Sequence, residues 1–343
     1  MNILDGNTIW RADNLLDGLT LKNGVISGIP TAKGRYNIPV TVSNSLGSST
    51  KNIRIIAKNK GDCTILKNGV VFENTTFADV VASIQNETAL SKYSCSNTQM
   101  LIDFVHPKTN AVIEDFPLNF CSFRSFSLED GSTKKCLILQ FANTLWKGFA
   151  PFGTNGFNRW KYSQLRKWLN ASGSNWFTSS YTADILFPHE WSYTDSGVKG
   201  FLSCLPPALA ELLLPVKIVT QAFFDDYNED EAIDDPDYID GVDADITYDK
   251  VFIPSFSEMT VTAGSDEFFP DTVFEGGTWD FYSALSSDAD ITRDINGETC
   301  SIITRSAYLD GTAKILYADS LTHVFPGDVY SANSAPAPAF VLG

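Results

Sequence analysis

RWKYSQLRKWLNASGSNWF, residues 159–177, places two tryptophans, two leucines and four basic residues in its first eleven positions. Ser163 is a good helix N-cap, and Asn170 and Gly173 are typical of a helix end. Between them, apolar side chains recur at the spacing of one helix face: Leu165, Trp168 and Leu169. The stretch therefore predicts a short helix whose apolar stripe faces the core, which makes it a scaffold rather than a binding site.

Three basic side chains lie off this stripe: Arg159, Arg166 and Lys167. The chain has 41 acidic and 25 basic residues and a formal net charge of −16. We therefore expect the three cations to pair with carboxylates at the surface. The same excess of negative charge opposes binding to nucleic-acid phosphates and to anionic lipid surfaces, so nucleic acid is not an expected partner.

The size and hydrophobicity of the chain predict a globular protein. Its 343 residues, of which 43% are hydrophobic, allow two or three domains with a substantial core. No apolar run approaches the roughly 18 to 20 residues that cross a bilayer, and MNILDGNTIWRADN lacks the features of a signal peptide. We expect a soluble protein made in the cytosol, without membrane insertion.

The six cysteines are scattered along the chain without a CxxC pair. This pattern indicates neither a zinc ribbon nor a disulfide framework. Only Cys121 and Cys136 are close enough in sequence for a bridge to be considered. We expect most of the thiols to be reduced and buried.

The first section of the chain has the pattern of an all-β module. Asn23-Gly24 is a tight-turn signal, and Asn44-Ser45-Leu46-Gly47 joins two runs that alternate with the period of a strand. Residues 16–57 carry the pattern L-x-L-x-x-G-x-I-S-G-x-P-T-x-x-G-x-Y-x-x-x-V-x-V-x-N-x-x-G. This pattern resembles the Ig-like module of bacterial and phage surface proteins. We assign residues 1–58 to this module, and the resemblance implies a spacer or an adhesive bead.

Residues 59–343 have a mixed pattern without a repeat of fixed period, which predicts an α+β fold. ENTTFADVVASIQNETALSKY has helical spacing, whereas TQMLIDFVH and KKCLILQFA are typical of strands. LPPALAELLLP predicts a helix that begins at its prolines and ends before Pro215. Together, the two sections predict a small all-β module followed by an α+β domain.

Six motifs in residues 155–342 carry a second resemblance: YSQLRKWLN, GFLSCLPPALAELLLPVKIVT, TYDKVFIPSFSEM, EGGTWDFYS, TRSA and APAFVL. Their order and spacing are similar to an uncharacterised family of phages and prophages of gut bacteria, which is itself similar to the formylglycine-generating-enzyme branch of the C-type lectin fold. The resemblance implies a C-type lectin-like domain. It does not imply the oxidase activity, because no cysteine pair lies in the corresponding C-terminal motifs.

Searches for catalytic patterns give no complete site. The chain lacks a G-x-S-x-G elbow, a Walker loop and a G-x-G-x-x-G turn. HEWSY begins at His189 but has Tyr193 where a zinc protease needs its second histidine, and Asp195-Ser196-Gly197 lacks the second copy that an aspartic protease needs. We therefore expect a protein that is not an enzyme.

The acidic stretch at residues 225–249 holds 12 carboxylates and no cation. Asp226, Asn228 and Asp230 alternate as in an EF-hand, but Glu231 stands where glycine is needed and Asp237 where the closing glutamate is needed. A solvated loop is favoured because like charges repel one another. No cofactor is expected, while calcium binding by this stretch stays open.

Two functions remain. The first is a non-enzymatic protein of a phage particle or bacterial surface, with an Ig-like stalk and a lectin-type head that binds a host-cell receptor or glycan. Binding residues are then expected to lie exposed between residues 279 and 330, with aromatic rings beside Asp or His: Trp279, Tyr282, Tyr308, Asp310, Tyr317, Asp319, His323 and Tyr330.

The alternative is a structural decoration protein of the head or tail, which contacts other virion proteins. Both functions place the protein in the virion after assembly in the host cytoplasm, and both are compatible with a homo-oligomer. A hydrolase with an unrecognised carboxylate pair is a third and weaker hypothesis.

Overall fold

The chain divides into two compact units, Met1–Asp62 and Cys63–Gly343. The predicted boundary after residue 58 lies four residues before this division. The computed structural model describes the following residues: 8–59, 61–143, 158–174, 198–221, 238–239, 244–259, 275–286, 291–295, 298–309, 314–320, 323–328 and 334–343.

The predicted α+β class is wrong, because the protein is mostly β. Strands hold 50% of the described residues and helices 16%. The longest described helix has nine residues. Helices this short are stable only through packing, so the strands determine the architecture.

The first unit contains five strands in its described part. They are β1 (Ile9–Ala12), β2 (Leu19–Lys22), β3 (Val25–Gly28), β4 (Gly34–Asn44) and β5 (Gly47–Ala57). β4 lies between β1 and β5 in an antiparallel sheet, and β2 pairs with β3. The predicted turn from Asn44 to Gly47 joins β4 to β5. Few side chains of this unit are buried, and Ile38 is the most deeply buried of them.

A seven-stranded sheet forms the centre of the second unit. Its strands are β6 (Asp62–Lys67), β7 (Val70–Thr76), β8 (Thr98–Val105), β9 (Val112–Ser127), β10 (Thr133–Phe141), β14 (Val251–Phe252) and β20 (Ala339–Leu342). Their order is β14-β20-β10-β9-β8-β6-β7, so the strand nearest the C-terminus lies inside the sheet. All four residues of β20 are buried. Helices α1 (Phe77–Gln85) and α2 (Ala89–Lys92) follow β7.

The described part of the second unit contains two further, smaller sheets. One has the order β11-β13-β12, with β11 (Val216–Gln221), β12 (Tyr238–Ile239) and β13 (Ala244–Asp249). The other has the order β15-β16-β17-β18, with β19 paired to β16 in parallel. Its strands are β15 (Arg293–Ile295), β16 (Glu298–Ala307), β17 (Lys314–Ala318), β18 (Val324–Asp328) and β19 (Ser334–Pro336).

The helix predicted at residues 163–170 is confirmed as α3 (Gln164–Leu169). The hydroxyl of Ser163 accepts a hydrogen bond from the backbone N–H of Arg166, and Asn170 is the C-cap. The three stripe residues, Leu165, Trp168 and Leu169, are at most 1% exposed. The apolar face therefore packs into the core, as the spacing predicts.

Two of the three cations near this helix pair with carboxylates, but in the interior rather than at the surface. Arg159 donates to both oxygens of Asp245 at 2.9 and 2.6 Å, and the two side chains are 4% and 1% exposed. Arg166 donates to Oδ1 of Asp249, which is fully buried. The end of the acidic stretch is therefore the buried strand β13, which corrects the interpretation of the whole stretch as a solvated loop.

The helix predicted in LPPALAELLLP is shorter than expected. It is α4 (Pro207–Ala210), and the chain then becomes extended. Leu213 forms a bridge with Leu342, and the N–H of Leu214 donates to the carbonyl of Val341. Pairing with β20 thus overrides the helical preference of the leucines. In the part of the chain that the structure describes, no helix is long and apolar enough to cross a membrane.

We expect Trp168→Ala to lower the free energy of unfolding by about 3–5 kcal/mol. The Trp168 ring lies 5.2 Å from that of Phe201, and its Nε1–H donates to the carbonyl of Lys199. The substitution therefore leaves both a cavity and an unpaired carbonyl. Chemical denaturation measures the effect, with Lys167→Ala at an exposed neighbouring position as the control. Equal stabilities of the two variants would contradict the buried position of the ring.

We expect Asp245→Ala to lower the free energy of unfolding by about 3–5 kcal/mol, because Arg159 would stay buried without its counterion. In the double variant Arg159→Met, Asp245→Leu, no charge is left buried, so most of the stability should return. Denaturation of both variants tests this. A double variant that is less stable than Asp245→Ala would show that the pair itself, rather than its completeness, stabilises the fold.

Candidate functional site

The expected exposure of the binding residues is wrong for four of the eight. These four are buried: Trp279 (0% exposed), Tyr282 (0%), Tyr308 (8%) and Tyr317 (2%). Asp310 and Tyr330 lie outside the described residues. Asp319 and His323 lie at the surface, with side chains 35% and 63% exposed.

Trp279 and Tyr282 belong to the core around α6 (Asp280–Ser283), which follows the short helix α5 (Phe256–Met259) among the described elements. The Trp279 ring meets Phe252 of β14 edge-on, with the ring centroids 6.4 Å apart. The Tyr282 hydroxyl donates to Oε1 of Gln140 on β10 at 2.7 Å. Both rings therefore attach α6 to the central sheet. The EGGTWDFYS motif is structural in this part.

Tyr308 lies in a small buried cluster with Phe256 and Leu316. Its carbonyl accepts a hydrogen bond from the side-chain amide of Asn158, 150 residues away in the sequence. The residue follows β16 directly. The irregular spacing of the tyrosines therefore does not indicate a common exposed face.

The hairpin of β17 and β18 brings together three of the predicted residues, Tyr317, Asp319 and His323. Tyr317 lies directly opposite Phe325 in the register of the two strands, and their rings stack with centroids 5.9 Å apart. The ring of His323 stacks on Phe325 at 5.2 Å. The result is a column of three rings that begins in the core at Tyr317 and reaches the solvent at His323.

Gly327 makes this column possible. A Cβ atom at this position would lie 2.5 Å from Cε2 of Tyr317, closer than any real contact. The tyrosine ring therefore lies directly over the backbone of β18. Only glycine at this position lets the ring lie flat enough to stack on Phe325.

Asp319 orients the exposed end of the column. Both of its carboxylate oxygens lie 2.9 Å from Nδ1 of His323. The hydroxyl of Ser320 accepts a hydrogen bond from the backbone N–H of His323 at 3.0 Å. A carboxylate at Nδ1 favours the tautomer that carries its proton there, which presents Nε2 as an acceptor. The hairpin thus offers an exposed ring face, a carboxylate and an imidazole nitrogen, a set suited to recognition by stacking and hydrogen bonds.

A second polar site, which sequence reasoning missed, is buried beneath β16. Arg305 is 2% exposed, and its Nη1 donates to Oε2 of Glu258 at 2.6 Å and to the carbonyl of Ile253 at 2.9 Å. Its Nη2 donates to the carbonyl of Glu275 at 3.0 Å. In the sequence, this centre is indicated only by three charged residues, each flanked by apolar or small residues: Glu258 in FSEM, Glu275 in EGG and Arg305 in TRSA.

Glu275 is a second buried carboxyl in this centre. It is 2% exposed, accepts from the backbone N–H of Gln221 at 3.2 Å and also bonds the hydroxyl of Ser306. Burial raises the pKa of Glu275 to about 7, and the carboxylate of Glu258 adds to the rise, while Arg305 and Ser306 oppose it. One guanidinium thus faces two carboxyls, of which Glu258 is the direct partner.

Within the described residues, no group of three His, Cys, Asp or Glu side chains could hold a metal ion. All six cysteines lie within the described residues, are buried and form no disulfide, so Cys121 and Cys136 are not bridged, and the expectation of reduced, buried thiols is confirmed. Most of the acidic stretch, His189 with its HEWSY string, and Asp195 to Gly197 lie outside the described residues.

The comparisons with known proteins give no relative. A scan against protein-family models, a search of curated proteins and a search of solved structures each find no match to this chain. The resemblances to phage and prophage proteins therefore stay predictions.

We expect the stability of the protein to fall as the pH rises from about 4.5 to 7, by up to about 1.4 kcal/mol per pH unit from Glu275 alone. Its native pKa lies above the unfolded value, so the native state binds the proton more tightly and its stabilising effect is lost on ionisation. Glu275→Gln should remove this slope. Denaturation midpoints between pH 4.5 and 8.5 measure it, with the exposed Glu129→Gln as the control. The same slope in both variants would assign the pH dependence to other groups.

Proposed function

We propose that this chain is a non-enzymatic binding protein of a phage particle or bacterial surface. The second unit attaches to a host-cell receptor or glycan, and the first unit serves as a spacer. The division into two compact units supports this arrangement. So does the small number of buried side chains among the described residues of the first unit, which is compatible with a spacer.

The observation that carries the proposal is the aromatic column of the β17–β18 hairpin. His323 is 63% exposed, stacks on Phe325 and is held by Asp319. An aromatic face packs against the apolar face of a sugar or a side chain, while the carboxylate and the imidazole bond hydroxyl or amide groups. Among the described residues, the imidazole contacts the Asp319 carboxylate and the Phe325 ring, and these contacts favour binding by stacking and hydrogen bonds.

The alternative, a structural decoration protein that contacts other virion subunits, has its own support. β7 lies at the edge of the seven-stranded sheet, and three consecutive residues on it are exposed: Val70 (69%), Val71 (57%) and Phe72 (46%). An edge strand with exposed apolar side chains readily pairs with another chain. Such a contact would bury β7 in an assembly.

We expect His323→Ala to weaken attachment of the purified protein to bacterial envelopes or arrayed glycans by at least about fivefold, while the melting temperature changes by only a few degrees. Asp319→Asn should give a smaller loss, because the imidazole remains but is less firmly oriented. His106→Ala, the other described histidine, is the matched control. Envelope binding that survives both hairpin substitutions would contradict the proposal.

Self-assembly separates the two functions. If the protein forms ordered oligomers that Phe72→Ser dissolves, and no envelope or glycan retains it, the decoration function is favoured. If the monomer binds envelopes and Phe72→Ser leaves that binding unchanged, the attachment function is favoured. Light scattering and envelope pull-down on the same samples give both results.

A further inference from the structure

A pocket of about 140 Å³ lies between the end of α1, α2 and the strands β9 and β10. Its wall is apolar and is formed by Ile84, Ala89, Leu90, Phe123 and Cys136. Burial raises the pKa of the Cys136 thiol to about 11, so this side chain is neutral at physiological pH. An apolar cavity of roughly 150 Å³ is large enough to hold a benzene ring. The size and the wall therefore fit one aromatic ring.

The rim of the pocket is charged, in contrast to its wall. Lys135 forms an ion pair with Glu87, and both side chains are more than half exposed. Arg124 also borders the pocket, but its guanidinium donates to the carbonyls of Gly277 and Thr278 and is therefore fixed. The rim thus carries two cations and one anion, which favours an anionic group on the ligand.

The backbone of Glu87 is the second unusual feature of the rim. Its φ angle is 60°, in the left-handed region that a glutamate rarely adopts and that glycine or asparagine adopts at lower cost. The residue connects α1 to α2, and this sharp turn leaves the space above β9 and β10 open. This left-handed residue ends α1, with the N–H of Thr88 donating to the carbonyl of Ser83, and it places the Glu87 carboxylate at the mouth of the pocket.

We propose that this pocket binds a small aromatic carboxylate, with its ring inside the pocket and its carboxylate on Lys135. In the free protein, the exposed carboxylate of Glu87 forms an ion pair with the ammonium group of Lys135. The ligand replaces this exposed partner and buries an apolar ring at the same time. The site is separate from the β17–β18 hairpin, so it does not depend on the proposed attachment function.

Benzoate is the probe, and its binding to the full chain is followed by NMR titration or calorimetry. We expect saturable binding at one site per chain, and weaker binding of benzyl alcohol, a neutral compound of similar size. Lys135→Gln should weaken benzoate binding by about three- to fivefold. The control is Lys134→Gln, an exposed lysine next to Lys135 on β10 that does not line the pocket. It should leave the affinity unchanged.

Two further variants test the wall and the rim. Ala89→Leu fills the pocket and should abolish binding, and if this variant does not fold, Ser125→Leu fills the pocket from an exposed position on β9. Glu87→Asn removes the carboxylate that competes for Lys135, and asparagine tolerates the positive φ of this position. Benzoate should therefore bind to this variant as tightly as before or more tightly. Four results would each overturn the proposal. They are benzoate binding that does not saturate, equal affinity for benzyl alcohol, unchanged benzoate affinity in a folded variant with the pocket filled, and loss of benzoate binding in Glu87→Asn.

Discussion

Arg305 is a guanidinium held almost entirely out of water, and the arrangement of the second unit follows from how its charge is satisfied. Its partners come from two other segments: the Glu258 carboxylate and Ile253 carbonyl from one, and the Glu275 carbonyl from the other. A buried charge without such partners costs several kcal/mol, so the three segments must hold one another in place. β16, which carries Arg305, pairs with β17, and β17 pairs with β18. The aromatic column that ends at His323 is therefore connected to the buried Arg305 through these strands.

Local signals were sufficient for some elements. The N-cap at Ser163, the apolar spacing of the following turn and the stop at Asn170 all lie within eight residues, and α3 forms there. The acidic stretch shows the opposite case. Asp245 belongs to a run of like charges that indicates a solvated loop, but its partner, Arg159, lies 86 residues earlier in the sequence. No local pattern contains that pairing, so only the fold reveals that the carboxylate is buried.

The aromatic residues near the C-terminus show a similar limit. The sequence places Tyr308 and Tyr317 among small and polar neighbours, which favours exposure, but the faces of short strands depend on register with strands elsewhere. Tyr317 stacks on the opposite residue Phe325 and is buried, whereas His323 is at the exposed end of the same column. The region of the candidate site was thus predictable in part, while the division into buried and exposed residues was not.

The position of β20 inside the seven-stranded sheet has a consequence for synthesis. β10 is complete at Phe141, but its neighbour on one side is β20, which ends at Leu342. At a ribosomal rate of about 5–20 residues per second, the intervening roughly 200 residues take on the order of 10–40 s to emerge. During this interval, β10, whose last six residues are all buried in the native fold, has one edge without its native partner. Until β20 has been made, this edge is open to pairing with other chains, including neighbouring copies on the same polysome.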